Sequence, residues 1–216
     1  MARYRIPAKQ TRTEIMVVNS RFIATVAPVF SVEEAREFIQ DVRHEFSDAS
    51  HNVPAFLIGH GQSVIAHSSD DGEPSGTAGR PALTVLQGSG LGDIAVVVTR
   101  YFGGTKLGTG GLVRAYTDAV KEVLSLLPLA EKVPTLLVRL VIPYSLFEQV
   151  KLIIQEHRGK IIGEAFAAEI TINLQFIEED FESFNQSIIQ LSRGKISAEI
   201  IDKNPATIMP ISGNSR

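Results

Sequence analysis

The sequence predicts an α+β protein of two consecutive units, and three observations carry that reading. The second half of the chain alternates in the order strand, helix, strand, strand, helix, strand. That is the order of a ferredoxin-like sandwich, two helices on one face of a four-stranded antiparallel sheet. Residues 94–99, Ile-Ala-Val-Val-Val-Thr, are apolar at consecutive positions, as a strand covered on both faces must be. Residues 128–134 carry prolines at both ends between two strongly patterned segments, which reads as a linker. The expected units are residues 1–130, holding a glycine-rich motif, and residues 131–216, the ferredoxin-like unit.

Residues 14–29 read as two short strands around Asn19-Ser20. Ser31 then caps a helix, and Glu34 three residues later completes a capping box. Ala35, Phe38, Ile39, Val42 and Phe46 form one apolar stripe along it. Residues 52–59 and 63–67 pair as a hairpin, with Gly59-His60-Gly61-Gln62 supplying the turn. Thr77 is placed to cap a second helix, and Pro81 falls in its first turn, where backbone donors have no helical partner. From about Gly111 a third helix runs to Leu127. It turns Leu112, Tyr116, Ala119 or Val120, Val123 and Leu127 inward, and Arg114, Asp118, Lys121 and Glu122 elsewhere. In the second unit, residues 136–142 form a strand and 145–157 a helix stopped by Gly159. Two strands follow over 160–176, then a helix over 180–192 stopped by Gly194 and a last strand over 196–201. The run Arg3, Arg5, Lys9 and Arg12 is a weak positive cluster that reads as a solvated arm rather than a nucleic-acid grip.

A chain of 216 residues with 44% hydrophobic content can bury a substantial core. Its net charge of −3 gives no global attraction to nucleic acid or an anionic membrane, so any anion binding is local. Cysteine is absent, which excludes disulfides, thiolate metal sites and cysteine nucleophiles and fits a reducing compartment. No apolar run approaches the roughly 18 residues of a membrane span, and residues 1–13 lack the apolar core of a secretory signal. The expected location is cytoplasmic, without membrane contact. The histidines, His44, His51, His60, His67 and His157, lack the His-Glu-x-x-His spacing, and no serine sits in a Gly-x-Ser-x-Gly elbow. Zinc hydrolysis and serine hydrolysis have no local support.

Eleven of the 17 glycines fall between Gly72 and Gly111, where average usage would give roughly three. Two segments there carry chemistry: Asp70-Asp71-Gly72-Glu73-Pro74-Ser75-Gly76-Thr77 and the run from Arg100 to Gly111. In the second a strand passes into a helix, whose unpaired N–H groups and dipole favour a phosphate. Arg80, Arg100, Lys106 and Arg114 would add charge. Gly103, Gly104, Gly110 and Gly111 would let the backbone approach, and Tyr101 or Phe102 would stack on a base. Neither nucleotide signature fits: Lys106 precedes Leu107-Gly108, against the Walker A order, and the Rossmann pattern fails at Val113. The same glycines also suit a tight turn and close helix-to-strand packing. Asp70, Asp71 and Glu73 read either as oxygen ligands for Mg²⁺ or as partners of Arg80, Arg100 or Arg114 that fix the loops. His51 is a general base if its strand lies beside the acidic loop, or else a histidine hydrogen-bonded at a strand start. Thr77 is an accessory turn or cap residue. No resident cofactor is expected, and Mg²⁺ is the one weighed.

The run Ser69-Asp70-Asp71-Gly72-Glu73-Pro74-Ser75-Gly76-Thr77-Ala78-Gly79-Arg80-Pro81, followed by Val98-Thr99-Arg100-Tyr101-Phe102-Gly103-Gly104-Thr105-Lys106-Leu107-Gly108, closely resembles the IMPACT/YigZ family. The spacing from Ala49-Ser50-His51 through Ala55 to Gly59 is similar to it too, and the resemblance covers nearly the whole chain. It implies an N-terminal domain of the fold shared with elongation factor G domain IV and a small-subunit ribosomal protein. It also implies a C-terminal ferredoxin-like domain similar to elongation factor G domain V. Eukaryotic members of that family regulate translation by opposing activation of an initiation-factor kinase, with an additional N-terminal RWD domain. Here about a dozen residues precede the first expected strand, so the kinase role is not carried over. Bacterial-type members with this layout have been proposed to bind nucleic acid or act around translation. Some are labelled peptidases, a chemistry these residues do not supply. The expectation is an RNA- or ribosome-associated binding protein gripping phosphates with Arg80, Arg100, Lys106 and Arg114. A Mg²⁺-dependent enzyme acting on a phosphorylated small molecule and an adaptor for a protein partner remain open.

Overall fold

The structure is a computed structural model that describes residues 3–61 and 63–211. Contacts divide it into two units, Tyr4–Glu131 and Lys132–Met209, with Arg3 grouped with the second and Pro210 with the first. The first unit contains β1 (Tyr4–Pro7), β2 (Thr11–Val17), β3 (Ser20–Pro28), α1 (Val32–Glu45), β4 (His51–Ile58), β5 (Ile65–Ser68), α2 (Gly79–Gly88), β6 (Ile94–Tyr101) and α3 (Gly108–Ser125). Its main sheet has the order β2-β3-β6-β4-β5, antiparallel throughout. The centre of that sheet is β6, buried from Ile94 to Arg100. Because side chains alternate across a strand, Ile94, Val96 and Val98 meet the core under α2 and α3, and Ala95 and Val97 meet the core under α1. That two-sided cover is why the strand reads as an unbroken apolar run.

Helix α1 begins as the sequence predicts: the Glu34 N–H donates to Ser31 Oγ at 3.1 Å, while the Glu34 carboxylate reaches back to the Phe30 N–H at 2.8 Å. Helix α3 begins at Gly108 rather than near Gly111, so three glycines lie inside its first turn. The basic N-terminal run is not a loose arm. Ile6 of β1 is fully buried, and Arg12 on β2 pairs in a fork with Glu45 of α1, both bonds 2.6 Å.

The expected linker is also strand. Residues Leu129–Ile142 form one continuous β7, with Ala130 and Val133 buried. The Ala8 N–H donates to the Pro128 carbonyl at 2.8 Å, and Leu129 packs on the first unit's core. Proline removes a donor but does not forbid an extended φ, so the burial of Ala130 and Val133 outweighs the two flanking prolines.

The second unit continues with α4 (Phe147–Glu156), β8 (Lys160–Phe166), β9 (Ile170–Ile177), α5 (Glu178–Leu191) and β10 (Glu199–Pro210). Strand β7 pairs with β9 and β10, and β9 with β8, which is the ferredoxin-like order. Val150 and Ile154 of α4 and Phe184 and Ile188 of α5 pack with Leu140, Ile172 and Phe176 from the sheet. Gly159 does not end α4 through a left-handed turn; Arg158 takes that conformation at φ 58°. Gly159 is small because a Cβ there would lie 2.5 Å from the Phe176 ring. The last strand starts and ends later than predicted. The Ile196 N–H donates to Ser192 Oγ and the Ala198 N–H to Asn185 Oδ1, tying 196–198 to α5. Among the described residues no helix is long and apolar enough to cross a membrane.

Candidate phosphate-binding face and the buried ion pair beneath it

Arg100, the last residue but one of β6, lies in register with His51 of β4 and Phe22 of β3. Counted from Val96 and Val98 it points to the layer under α2 and α3, so it is buried, its side chain 6% exposed. Its Nη1 donates to Glu73 Oε1 at 2.6 Å, and the Tyr116 hydroxyl of α3 donates to the same oxygen at 2.9 Å. Nη2 reaches Ser20 Oγ at 3.4 Å, and the guanidinium lies over the rings of Phe22 and Phe102. Nε has no hydrogen-bond partner among the described residues. Burial, then the Glu73 carboxylate and its hydrogen bond, push the Tyr116 phenol far above the ordinary tyrosine range. The acidic loop therefore pairs with Arg100, not with Arg80 or Arg114, and the pair joins a loop, a strand and a helix.

His51 Nδ1 stands 2.7 Å from the Asp71 carbonyl. A carbonyl only accepts, so Nδ1 carries the proton and Nε2 faces Glu73 Oε2 at 3.9 Å. His51 does lie beside the acidic loop, held as a wedge over a buried carboxylate.

The three carboxylates point three ways. Asp70 accepts from the N–H groups of Gly76, Ala78 and Gly79 at 2.8, 3.0 and 2.8 Å. Burial opposes its ionisation, but these three donors outweigh it and hold the carboxyl below the ordinary range. Asp70, not Thr77, thereby satisfies the start of α2. The N-cap position falls on Ala78, and Thr77 Oγ1 donates instead to the Pro74 carbonyl at 2.6 Å. Asp71, in a left-handed conformation at φ 49°, accepts from Arg43 and from the Asn52 N–H, both at 2.6 Å. Among the described residues no three histidine, aspartate or glutamate side chains converge as metal ligands. The Mg²⁺ reading thus finds its three candidate oxygen donors already engaged with backbone amides, arginines and a phenol.

The four basic residues expected on one face are separated. Arg100 is withdrawn into the core. Arg80, in the first turn of α2, lines a groove between α2 and α3. Lys106 and Arg114 line a concavity of about 270 Å³ with Gly111, Val17, Val18 and one carboxylate, the exposed Asp118. Here the start of α3 differs from that of α2: where Asp70 accepts from the first amides of α2, no side chain among the described residues caps α3. Gly110 is exposed with open space around it, and Gly104 takes φ 83°. Gly103 is small for another reason, since a Cβ there would collide with the Asn19 carbonyl of the β2–β3 turn. Tyr101 is occupied, its hydroxyl donating to Asp48 at 2.6 Å with Arg21 over its ring. Phe102, 49% exposed, also has a guanidinium against its ring, that of Arg100, but is the less occupied of the two. Val18 was not anticipated at this rim; it is 57% exposed and sits at φ 44°, a conformation that β-branched residues rarely adopt.

Residues 18–124, which hold the buried pair and all of this concavity's lining but Val17, match the Impact N-terminal domain, and residues 140–195 match a domain of unknown function (DUF1949). An IMPACT family member of Haemophilus influenzae is 36% identical over 203 residues, covering 94% of this chain and 98% of its own length. The IMPACT family member YigZ of Escherichia coli is 35% identical over 204 residues, 94% of this chain and 100% of that one. A crystal structure of a hypothetical protein is similar with a TM-score of 0.62 and 35% identity, covering 94% of this chain and 98% of its own. Agreement that runs through both units at this identity leaves one assignment: the chain belongs to the IMPACT family.

Proposed function

We propose that the protein is an RNA- or ribosome-associated binding protein that grips phosphates at the start of α3. One observation carries the reading: an uncapped, glycine-rich first turn opens beside exposed Lys106 and Arg114. Free N–H groups, the positive end of a helix dipole and two cations attract the same anion, and together they outnumber the single carboxylate of the concavity, Asp118. Phe102 supplies a ring for a neighbouring base. Membership of a family whose eukaryotic members regulate translation supports a translational setting, and the cytoplasm as its compartment belongs to the same proposal.

The test is the salt dependence of binding to a single-stranded RNA oligonucleotide. Each phosphate contact on a single strand contributes about −0.7 to the slope of log K against log salt. Lys106→Ala with Arg114→Ala should weaken binding and flatten the slope by about 1.4. Wild-type protein that binds no RNA at low salt, or a double variant with an unchanged slope, would overturn the proposal.

A further inference from the structure

Segment 70–81 turns its carboxylates inward, but Gly76, Arg80 and Pro81 face a groove of about 810 Å³ between α2 and α3. Its floor is apolar: Pro81 and Val85 from α2, Val113 and Leu124 from α3. Val113 is 38% exposed although α3 already buries a full apolar stripe on its other side. From Val113 to Leu124 the floor runs eleven residues, about 16 Å or three helical turns. Its charges are of one sign. Arg80 and Lys121 are exposed, form no ion pair among the described residues, and no carboxylate lines the groove.

We infer that this groove docks an amphipathic helix of a partner protein, with apolar side chains at i, i+4 and i+7 on the floor and acidic side chains toward Arg80 and Lys121. The open trough, three turns long, matches a helix better than an enclosed small molecule. The floor has no aromatic platform on which bases would stack. Excess positive charge on a chain of net charge −3 selects an acidic partner.

The test uses two designed helical peptides with the same apolar edge, one flanked by Glu and one by Lys, titrated into the full-length ¹⁵N-labelled protein. The Glu peptide should shift amide resonances of residues 80–88 and 113–125 and bind at least tenfold more tightly than the Lys peptide. Arg80→Glu with Lys121→Glu should invert that preference, and Val113→Glu should abolish binding. Val113→Ser, milder at an exposed position, should weaken it several-fold, with resonances outside the groove unchanged. Equal binding of both peptides, shifts confined to other surfaces, or full binding by Val113→Glu would overturn the inference. So would a single-stranded RNA, or self-association seen in sedimentation, that perturbs these resonances in place of the Glu peptide.

Discussion

Replacing Glu73 by alanine leaves the Arg100 guanidinium without a counter-charge where water does not reach, the two side chains being 3% and 6% exposed and 2.6 Å apart. Removing one partner of a buried pair costs about 3–5 kcal/mol, because the remaining charge stays desolvated. Tyr116 loses its acceptor at the same oxygen, which pushes toward the upper end rather than adding an independent increment. Against a domain stability of about 5–15 kcal/mol, the loss is a third or more in most of that range. The assay is hydrogen exchange of the β6 amides in the intact protein, since the central strand opens only when its unit unfolds. Exchange should accelerate roughly 100- to 4,000-fold at 1.4 kcal/mol per decade. Glu73→Leu with Arg100→Met, which removes both charges and keeps the volume, should recover most of the loss. Acceleration below tenfold, or a double variant no better than the single, would refute the argument and return Arg100 to the surface as a phosphate ligand.

Asp70 has a depressed folded pKa, so its contribution is complete above the unfolded value of about 3.9 and disappears as pH falls through the lower folded value. Asp70→Ala should cost about 1 kcal/mol at neutral pH and progressively less in acid; a constant difference from wild type in acid denaturation would contradict this. Tyr116 has a raised folded pKa, so among the four tyrosines it should stay protonated while the fold persists. Stability should fall as pH rises beyond about 10, where the unfolded phenol ionises. Ultraviolet titration showing four ionised phenols in a folded protein would disprove it. Tyr116→Phe, which removes a hydrogen bond to a charged carboxylate, should cost about 1.5–3 kcal/mol in thermal unfolding. Val18 holds φ 44° beside Asn19 at φ 64°, and a strained left-handed residue costs about 1–3 kcal/mol. Val18→Asn should therefore raise Tm by several degrees, and an unchanged or lower Tm would refute the strain argument.

Most of the fold was legible because local signals agreed with the tertiary cover: the Ser31 cap, the apolar run of β6 and the inward stripe of α3 all describe faces that the core then uses. Where the reading missed, a long-range partner overrode a local rule. Asp70 reaches across its loop to cap α2, eight and nine residues away, so the Thr77 signal was spent on Pro74. The prolines around 128–134 were outweighed by Ala130 and Val133, which are buried in β7. β10 was displaced by Ser192 and Asn185, which hold residues 196–198 against α5.

Within the candidate site, residue type alone does not separate the buried Arg100 from the surface cations, and the signal that does lies in strand parity. Glycine, arginine and carboxylate side by side suggest an anion site, but residue type does not reveal which side of a sheet a charge faces. Arg100 follows Val96 and Val98 at a spacing of two, so it must enter the layer beneath α3. Tyr116 follows Leu112 at a spacing of four on the buried face of that helix. A cation and a phenol in one dry layer require an anion between them, and Glu73 is that anion. Once those three are removed, the charges left outside are Lys106 and Arg114, with Asp118, in one concavity and Arg80 with Lys121 in another. Arg100 therefore does not join the two surfaces through a shared ligand. If it acts on them, it acts by fixing the loops from which both are built, so Glu73→Ala should disturb both surfaces at once, while Lys106→Ala and Arg80→Glu each disturb only one.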